Sequence, residues 1–319
     1  MLNTSFKTFL TMQTIFIFDI ENSKESEGIF IHSIHNETKK AVELLGGVKR
    51  VSKLLNEKYN KVKEWRTDRK PISIIDAKKL FRAVAPVEQT RLMKSIQNNA
   101  HIISCNYSAT KVKFPKQIST NLAYCVGIIL GDGHLSKIYS DRKTTWHLSV
   151  YFDNKEHQDI YDDIIKKEFG ITSKHYQRKP NCFESCINSK AIHWFFSKYF
   201  EINSGKKCDR IFLTKKILNN EEIIRSAISG LFDSDGTITK NGTIQYATTS
   251  KIMALQVLYE LNKIGINSSS NIWIKDKKYL PLYSIRIFRK SNNTFAQKVG
   301  FRHPLKKVLL EKFTNSPFV

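Results

Sequence analysis

Apolar residues recur at helical spacing in two short runs, at 48–55 and 62–65, and the polar residues 56–60 separate them. This pattern predicts two short helices that meet at a tight turn. Asn56 tolerates the left-handed conformation that such a turn needs. The small Ser52 is expected where the two helices come closest.

The second predicted helix has a polar outward face, opposite its apolar anchors Val62 and Trp65. A face of this kind can enter the major groove of DNA. The segment GGVKRVSKLLNEKYNKVKEWRTDRKPI resembles the paired helices of the lambda-repressor type of helix-turn-helix, and a plain structural hairpin is the alternative. The candidate DNA-binding residues here are Lys58, Asn60, Lys61, Lys63, Arg66 and Arg69.

The sequence on either side of this domain, which we place at 36–85, has a different character. Residues 14–34 contain two apolar, β-rich runs around a polar SKESEG, which predicts a hairpin in an N-terminal β-rich extension at 1–35. Residues 86–119 are polar and contain Pro86 and Pro115, with a helical stretch expected at 88–97 between them, and we interpret them as a linker.

The remainder of the chain contains an internal repeat. NLAYCVGIILGDGHLSK and RSAISGLFDSDGTITK each end an apolar helical run in Asp-Gly, and their acids Asp132 and Asp235 are 103 positions apart. After each comes a strand, an amphipathic helix stopped by Gly170 or Gly265, and then another strand and helix. The repeat predicts two related α-β units, at 120–215 and 216–319.

Small residues four positions apart give each repeated helix a narrow face. They are Gly127 and Gly131 in the first copy, and Gly230 and Ser234 in the second. Another backbone can approach such a face closely, and the natural partner is the other copy.

This packing would bring Asp132 and Asp235 together at two helix C-termini, with Gly133 and Gly236 as left-handed caps. The position is unfavourable for an acid, because each carboxylate opposes the helix macrodipole and the two repel each other. A divalent cation removes both penalties, and clustered oxygen ligands suit Mg²⁺.

The two repeated segments resemble the signature of the LAGLIDADG homing endonucleases, in CVGIILGDG at 125–133 and ISGLFDSDG at 228–236. The resemblance implies an α+β fold with two pseudo-symmetric αββαββα units, whose β-sheets form DNA-binding saddles. The small, mainly helical helix-turn-helix domain precedes them. The family's metal-binding catalytic acids correspond to Asp132 and Asp235. Asp233 matches an earlier acid of the motif, while Leu130 departs from it.

The same resemblance implies a site-specific double-strand DNA endonuclease that hydrolyses phosphodiester bonds with Mg²⁺, for which Mn²⁺ can substitute. The family commonly uses a basic residue near each scissile phosphate, and Lys190 and Lys290 correspond to it; a plain phosphate contact is the alternative. Strand alternation places about half of the remaining candidates on a groove-facing surface. These strand candidates are His147, Ser149, Tyr151, Gln245 and Thr248, and Arg286 and Arg289 are further candidates as neighbours of Lys290. We interpret His134, whose counterpart is Thr237, as a surface residue.

The charge supports a polyanionic partner. The chain of 319 residues has a formal net charge of +23, and its 41% hydrophobic and 11% aromatic content predicts a folded protein. No run of 18 apolar residues occurs, so we expect no membrane partner and a cytoplasmic location, with an organelle left open. Cys182 and Cys186 could form a zinc site with His175 or His193, but ordinary reduced thiols are the preferred interpretation.

Two other functions remain open at this stage. A DNA-binding transcriptional regulator could use the same scaffold, and an RNA intron maturase could use the same basic surface. The chain neither starts with Cys or Ser nor ends in His-Asn, so we expect a freestanding or intron-encoded monomer rather than a self-splicing protein.

Overall fold

The computed structural model describes residues 14–20, 26–67, 69–105, 110–141, 144–206, 208–274, 276 and 278–314. Its N-terminal region contains five helices and a four-stranded antiparallel sheet of order β2-β1-β3-β4. The helices are α1 (His35–Leu44), α2 (Val48–Leu54), α3 (Tyr59–Thr67), α4 (Ile74–Arg82) and α5 (Pro86–Asn99). The strands are β1 (Phe30–Ile31), β2 (Ile72–Ser73), β3 (Ile102–Ser104) and β4 (Val112–Lys113).

Two predictions about this region are wrong. The first apolar run forms a 3-10 helix at Ile17–Asp19 instead of a strand, and β1 pairs with β2 and β3 instead of forming a local hairpin. Residues 21–25 of the proposed hairpin lie outside the described part of the chain. The segment 86–119 is folded and supplies α5, β3 and β4, because its apolar residues Leu92, Ile96 and Ile103 are buried.

The predicted pair of short helices is present as α2 and α3. Asn56 adopts a φ of 52° in the turn between them, and Ser52 donates a hydrogen bond to the carbonyl oxygen of Glu57 at 2.6 Å. Val62 and Trp65 are buried, as expected of anchors. The hairpin is therefore confirmed as a structure, while its DNA-binding role stays a prediction.

Two related α-β units follow, as the repeat predicts, and each has the αββαββα order that the family resemblance implies. The first contains α6 (Thr120–Gly131), β5 (Gly133–Tyr139), β6 (Thr144–Phe152), α7 (Lys155–Phe169), β7 (Lys174–Lys179), β8 (Cys182–Asn188) and α8 (Lys190–Tyr199). A connecting helix, α9 (Lys215–Leu218), leads to the second unit. That unit contains α10 (Glu221–Ser234), β9 (Gly236–Ile238), β10 (Ile244–Thr248), α11 (Lys251–Lys263), β11 (Ser268–Trp273), β12 (Leu282–Ile287) and α12 (Asn292–Lys298). The helix α13 (Pro304–Thr314) follows it.

The two units share their sheet topology as well as their element order. Their antiparallel sheets have the equivalent orders β5-β6-β8-β7 and β9-β10-β12-β11. The helices α7 and α11 begin with side-chain caps from Asn154 and Ser250, and the left-handed glycines Gly170 and Gly265 follow their ends. The pseudo-symmetry thus extends to the local signals that start and stop each element.

The left-handed caps predicted at the motif glycines are wrong. Gly133 and Gly236 are the first residues of β5 and β9, and neither has a positive φ. They must be glycine for a steric reason. A β-carbon on Gly133 would lie 2.6 Å from the carbonyl oxygen of Ile129, and one on Gly236 would lie 2.4 Å from that of Phe232.

Within the described ranges, the structure has no helix that is both long enough and apolar enough to span a membrane.

Candidate functional site

The helices α6 and α10 cross in direct backbone contact, on the face that the small residues predict. A methyl group on Gly127 would lie 2.1 Å from the carbonyl oxygen of Ala227, and one on Gly230 would lie 2.2 Å from that of Tyr124. Because real β-carbons do not approach other atoms this closely, only glycine fits at either position. The absence of two side chains therefore determines how closely the two units approach each other.

This crossing brings the two motif aspartates to neighbouring helix ends. Asp132 and Asp235 are the C-cap residues of α6 and α10, and both are exposed. A β-carbon on Gly131, next to Asp132, would lie 3.1 Å from Oδ2 of Asp235. The structure thus brings the predicted pair together.

Each aspartate lines its own cleft. Asp132 lines one of about 340 Å³, together with Asp153, His157 and Lys179 of its own unit and Asp233 and Ser234 of the other unit. Asp235 lines one of about 280 Å³, together with Thr248 of its own unit and Leu130 and Gly131 of the other. Each motif acid therefore faces a space built from both units.

Lys306 on α13 is a cation at the C-terminal end of α10 that no sequence pattern singles out. Its Nζ donates to the carbonyl oxygens of Asp233 at 2.6 Å, Gly236 at 2.7 Å and Phe232 at 3.1 Å, at the C-terminal end of α10. Burial lowers the pKa of Lys306, while Asp233, Asp153, Asp132 and Asp235 oppose this effect. The helix macrodipole places partial negative charge at this helix end. The ammonium group of Lys306 therefore interacts favourably with it, whereas the carboxylates of the two motif acids do not.

A buried polar network lies beside Lys306. Oδ2 of Asp233 accepts hydrogen bonds from the Tyr124 hydroxyl at 2.7 Å and from the backbone N–H groups of Arg302 at 2.8 Å and His303 at 3.0 Å. Burial raises the pKa of Asp233, although these donors oppose the shift. The earlier motif acid thus links the first unit to the segment that precedes α13.

Two histidines extend this network. The Tyr124 hydroxyl also bonds Nε2 of His157 at 2.8 Å, and Nε2 of His303 bonds Oδ1 of Asp153 at 2.9 Å. Burial, followed by the charges of His303 and Lys306, lowers the pKa of His157 to about 3. Asp153 and His157 stand four positions apart at a helix start, a spacing that could have suggested them. Nothing in the sequence connects them to His303.

Burial along the strands shows which face of its sheet each strand candidate occupies. In β6, Leu148, Val150 and Phe152 point into the core, so His147, Ser149 and Tyr151 share the opposite face. We call this face of each sheet, away from the helices, the open face. His134, which pairs with Ser149, is exposed there.

In the second sheet, the open face contains Gln245 and Arg286. The two are direct neighbours across β10 and β12, and Gln245 also pairs with Thr237 on β9. Thr248 is not on the open face with Gln245, because it stands three positions away and strand alternation turns it to the side where it lines the cleft of Asp235. Its hydroxyl accepts a hydrogen bond from the backbone N–H of Ser250 at 3.1 Å.

Arg289 does not lie on the open face either. It belongs to a 3-10 turn after β12, and its guanidinium lies over the ring of Phe313 on α13 at 5.4 Å from the centroid. Strand geometry ends at Ile287, so alternation no longer applies at this position.

Lys190 and Lys290 lie away from the motif acids. Lys190 donates to the carbonyl oxygen of Glu27, and its Nζ lies 5.3 Å from the ring centroid of Trp146. Trp146 is five residues along β6 from Tyr151, whose N–H donates to the carbonyl oxygen of Asp132, and this separation is about 17 Å in a strand. The geometry contradicts a catalytic role for Lys190.

Lys290 lies beyond the far end of β12, past Ile287, which aligns with Ile244 and Ile238. Asp235 lies at the other end of this sheet, before Gly236. The structure therefore favours Lys179, which shares the cleft of Asp132, over both predicted lysines.

Most helix-turn-helix candidates have the predicted exposure. Lys61 differs, because its Nζ bonds Oε2 of Glu57 and Oδ1 of Asp76, both at 2.9 Å, and lies over the ring of Trp65. It therefore joins α3 to α4 in the described structure. The exposed candidates are Lys58, Asn60, Lys63, Arg66 and Arg69.

The alternative zinc site at Cys182 and Cys186 is not assembled in the part of the chain that the structure describes. Sγ of Cys186 lies 3.8 Å from Nδ1 of His147, His175 pairs with Asp162 at 2.7 Å, and His193 bonds Ser204 at 3.2 Å. The candidate ligands are thus separately engaged.

Comparison with known proteins confirms the family resemblance. Residues 222–300, which span most of the second unit, match the model of the LAGLIDADG-like domain. This match includes the second motif and its acid Asp235.

Two curated relatives from Methanocaldococcus jannaschii align with part of the chain. A replication factor C small subunit is 29% identical over 191 residues, which are 59% of this chain and 10% of the relative. A glutamine–fructose-6-phosphate aminotransferase is 29% identical over 210 residues, which are 64% of this chain and 18% of the relative. The chain thus matches only a small part of each relative, and neither named activity is carried over.

Among solved structures, I-DmoI in complex with DNA and Mn is similar with a TM-score of 0.46 and 19% identity, over 58% of this chain and 98% of that chain. The homing endonuclease I-WcaI bound to its DNA recognition sequence has a TM-score of 0.44 and 21% identity, over 60% of this chain and 87% of that chain.

Proposed function

We propose that this chain is a site-specific endonuclease that hydrolyses both strands of double-stranded DNA with a divalent metal ion. The observation that carries the proposal is the pair Asp132 and Asp235. Each caps one of two helices in backbone contact, and each lines its own cleft. The two pseudo-symmetric units supply one acid each. This arrangement suits a substrate with two antiparallel strands, because each acid can act on one strand.

The surroundings of the acids fit a hard divalent cation. Carboxylates at helix C-termini interact unfavourably with the macrodipole. Binding of a cation there lowers their electrostatic energy. Asp132 and Asp235 would hold the metal, with the carboxylate oxygens that Mg²⁺ prefers and Mn²⁺ also accepts. When bound, Mg²⁺ supplies Lewis-acid activation of water and stabilisation of the leaving oxygen.

The residues around the acids have distinct roles in this proposal. Lys306 holds the end of α10 and the start of β9 through four carbonyl oxygens and so positions Asp235. Lys179 shares the cleft of Asp132 and would contact a phosphate there. Neither is needed to bind DNA elsewhere on the molecule.

The open faces of the two sheets supply the DNA-binding surface. They present polar side chains in rows, such as Thr237, Gln245 and Arg286 in the second sheet. Their spacing follows the strands, so a long target site would be contacted along both sheets. The exposed residues of α3 would add contacts outside the central site.

Incubation with a plasmid or genomic DNA library, followed by mapping of the DNA ends, tests the proposal. We expect cuts at a long specific site with Mg²⁺ or Mn²⁺, no cuts with EDTA, and no cuts by Asp132→Asn or Asp235→Asn. Asp163→Asn, an exposed acid on α7, is the matched control and should cut normally.

The same experiment distinguishes the other candidate functions. Tight metal-independent binding to one DNA sequence without cuts would contradict the nuclease and support a transcriptional regulator. Preferential binding to structured RNA, again without cuts, would support a maturase.

A further inference from the structure

Three ligand-type side chains meet where the first unit contacts the segment before α13. Asp153, His157 and His303 each offer a donor atom, and these atoms lie within 4.8 Å of one another. No second such cluster of three or more His, Cys, Asp or Glu residues occurs in the ranges that the structure describes. The two imidazole rings are 4.7 Å apart between centroids.

Local structure holds these residues in place. Asn154 caps α7 by accepting a hydrogen bond from the N–H of His157 at 2.9 Å, which places Asp153 and His157 at the same helix start. His303 directly precedes α13, and its N–H is bonded to Asp233. The donors are therefore in position before any ion binds, which lowers the entropic cost of binding.

Hydrogen bonding indicates which nitrogen of His157 carries the lone pair. The Tyr124 hydroxyl donates its hydrogen to Asp233, so in its bond with His157 it accepts a hydrogen from Nε2. The neutral ring then carries its lone pair on Nδ1. An outer chain of tyrosine and carboxylate is the arrangement that fixes the tautomer and orientation of metal-binding histidines.

Two buried polar atoms near the cluster lack hydrogen-bond partners in the described structure. They are Oδ1 of Asp233 and Nδ1 of His303, and each residue is only 2% exposed. Asp233 lines the same cleft as Asp153 and His157. Polar atoms buried without a partner are unfavourable, and a cation bound at the cluster would give Nδ1 of His303 a partner.

We propose that Asp153, His157 and His303 bind a borderline transition-metal cation, with Zn²⁺ as the representative ion. Two imidazole nitrogens and one carboxylate oxygen form a donor set typical of Zn²⁺, whereas Mg²⁺ prefers oxygen ligands alone. The cleft of about 340 Å³ gives the ion access and leaves room for a water molecule as fourth ligand.

The site differs from the pair of motif acids because it is not repeated. Alignment of the helix caps Asn154 and Ser250 places Thr249 and Met253 opposite Asp153 and His157. These residues cannot reproduce the donor set. One ion per chain is therefore expected, and it joins the first unit to the segment after the second.

Metal binding by the full-length chain tests this proposal. After treatment with EDTA and its removal, Zn²⁺ is titrated in competition with a chromophoric chelator. We expect one equivalent to bind, with affinity lowered on the order of 100-fold by His303→Ala or Asp153→Asn. His175→Ala, a histidine outside the cluster, should bind as the wild type does. Absence of this equivalent, or unchanged affinity in both cluster variants, would overturn the proposal.

Two further measurements identify the ligands. Circular dichroism verifies that each variant is folded, and Co²⁺ in place of Zn²⁺ should give visible absorption that His303→Ala weakens. Cys182→Ser is included because Cys182 lines the same cleft. Loss of binding in Cys182→Ser but not in His303→Ala would assign the ion to a thiolate site and refute the proposed set.

The outcome is independent of nuclease activity. Asp132→Asn and Asp235→Asn should keep the Zn²⁺ equivalent even though DNA cleavage is lost. A chain that binds Zn²⁺ at the cluster without cutting DNA would refute only the nuclease, and one that cuts DNA without binding Zn²⁺ would refute only the second site.

Discussion

Gly127 and Gly230 face each other across the crossing of α6 and α10, with each α-carbon against the partner backbone. Gly127→Ala or Gly230→Ala should lower the free energy of unfolding by about 3 kcal/mol. The added methyl group would meet the backbone of the partner helix, which cannot rotate away as a side chain can. Denaturant unfolding measures the loss. Gly265→Ala is the control. Its β-carbon would meet nothing within 4 Å, so the change should cost only the left-handed strain of about 1–2 kcal/mol. Equal losses in all three variants would contradict the close-contact argument.

Replacing Asp132 or Asp235 by Asn separates cleavage from binding. The substitution keeps the shape of the side chain but removes a charged oxygen ligand, so DNA cleavage should fall by at least about 100-fold. DNA affinity measured in Ca²⁺ or EDTA should stay within a few-fold of the wild type. A variant that loses affinity and cleavage together would show that the acids support the fold or the DNA interface instead.

Arg286 and Arg289 are three residues apart but lie in different environments. Arg286→Gln should weaken DNA binding and lower the slope of log affinity against log salt by about 1, because its open-face position allows a phosphate contact. Arg289→Gln, the matched control over Phe313, should leave the slope unchanged. Fluorescence anisotropy at several salt concentrations measures both, and the reverse result would place the DNA on the other side of the sheet.

Lys306→Met should have two opposite effects. It removes the donor of four carbonyl oxygens at the junction of α10 and β9, so the free energy of unfolding should fall by about 1–3 kcal/mol. It also removes a cation close to both motif acids, so the affinity for Mg²⁺ should rise. Lys307→Met, at the exposed neighbouring position, should change neither quantity. Unchanged Mg²⁺ affinity in Lys306→Met would contradict the electrostatic part of this prediction.

The contacts of Glu57 with Lys61 and Lys79 in the helical domain are expected to weaken in acid. Its own burial would raise its pKa, but hydrogen bonds and charge from Lys61 and Lys79 outweigh this and lower the pKa below the ordinary 4.5. A lowered pKa in the folded state means stability that is present above pH 4.5 and is lost as the pH falls through the folded-state pKa.

Glu57→Gln should therefore cost at most about 1 kcal/mol near neutral pH and nothing in acid. Thermal unfolding over a pH series measures this difference. Glu64→Gln, which breaks a more exposed pair with Lys70, is the control and should cost less near neutral pH. Parallel curves for Glu57→Gln and the wild type would contradict the assigned coupling.

Features that depend on neighbouring residues were predictable from sequence. The turn at Asn56 and the stops at Gly170 and Gly265 lie where local patterns indicate. The repeat also predicted the two units and their order, since two copies of one sequence pattern form one structure twice.

Predictions failed where a contact spans many residues or where strand geometry ends. The segment 86–119 is polar enough to suggest a linker, yet its few apolar residues suffice to join a sheet with β1. The strand position suggests Thr248 and the neighbourhood of Lys290 suggests Arg289, but alternation and the 3-10 turn after β12 direct them elsewhere. Lys190 was chosen by alignment, and the structure holds it against Glu27 and Trp146.

The sequence by itself determined that this chain has two related α-β units, each with an acid at the end of a glycine-containing helix, because these features repeat and depend on local spacing. Only the tertiary structure decided which residues surround those acids. Lys306 and His303 reach the site from a segment about 70 residues beyond Asp233 in the chain. No local pattern encodes such a meeting, because it results from the packing of α13 against the end of α10.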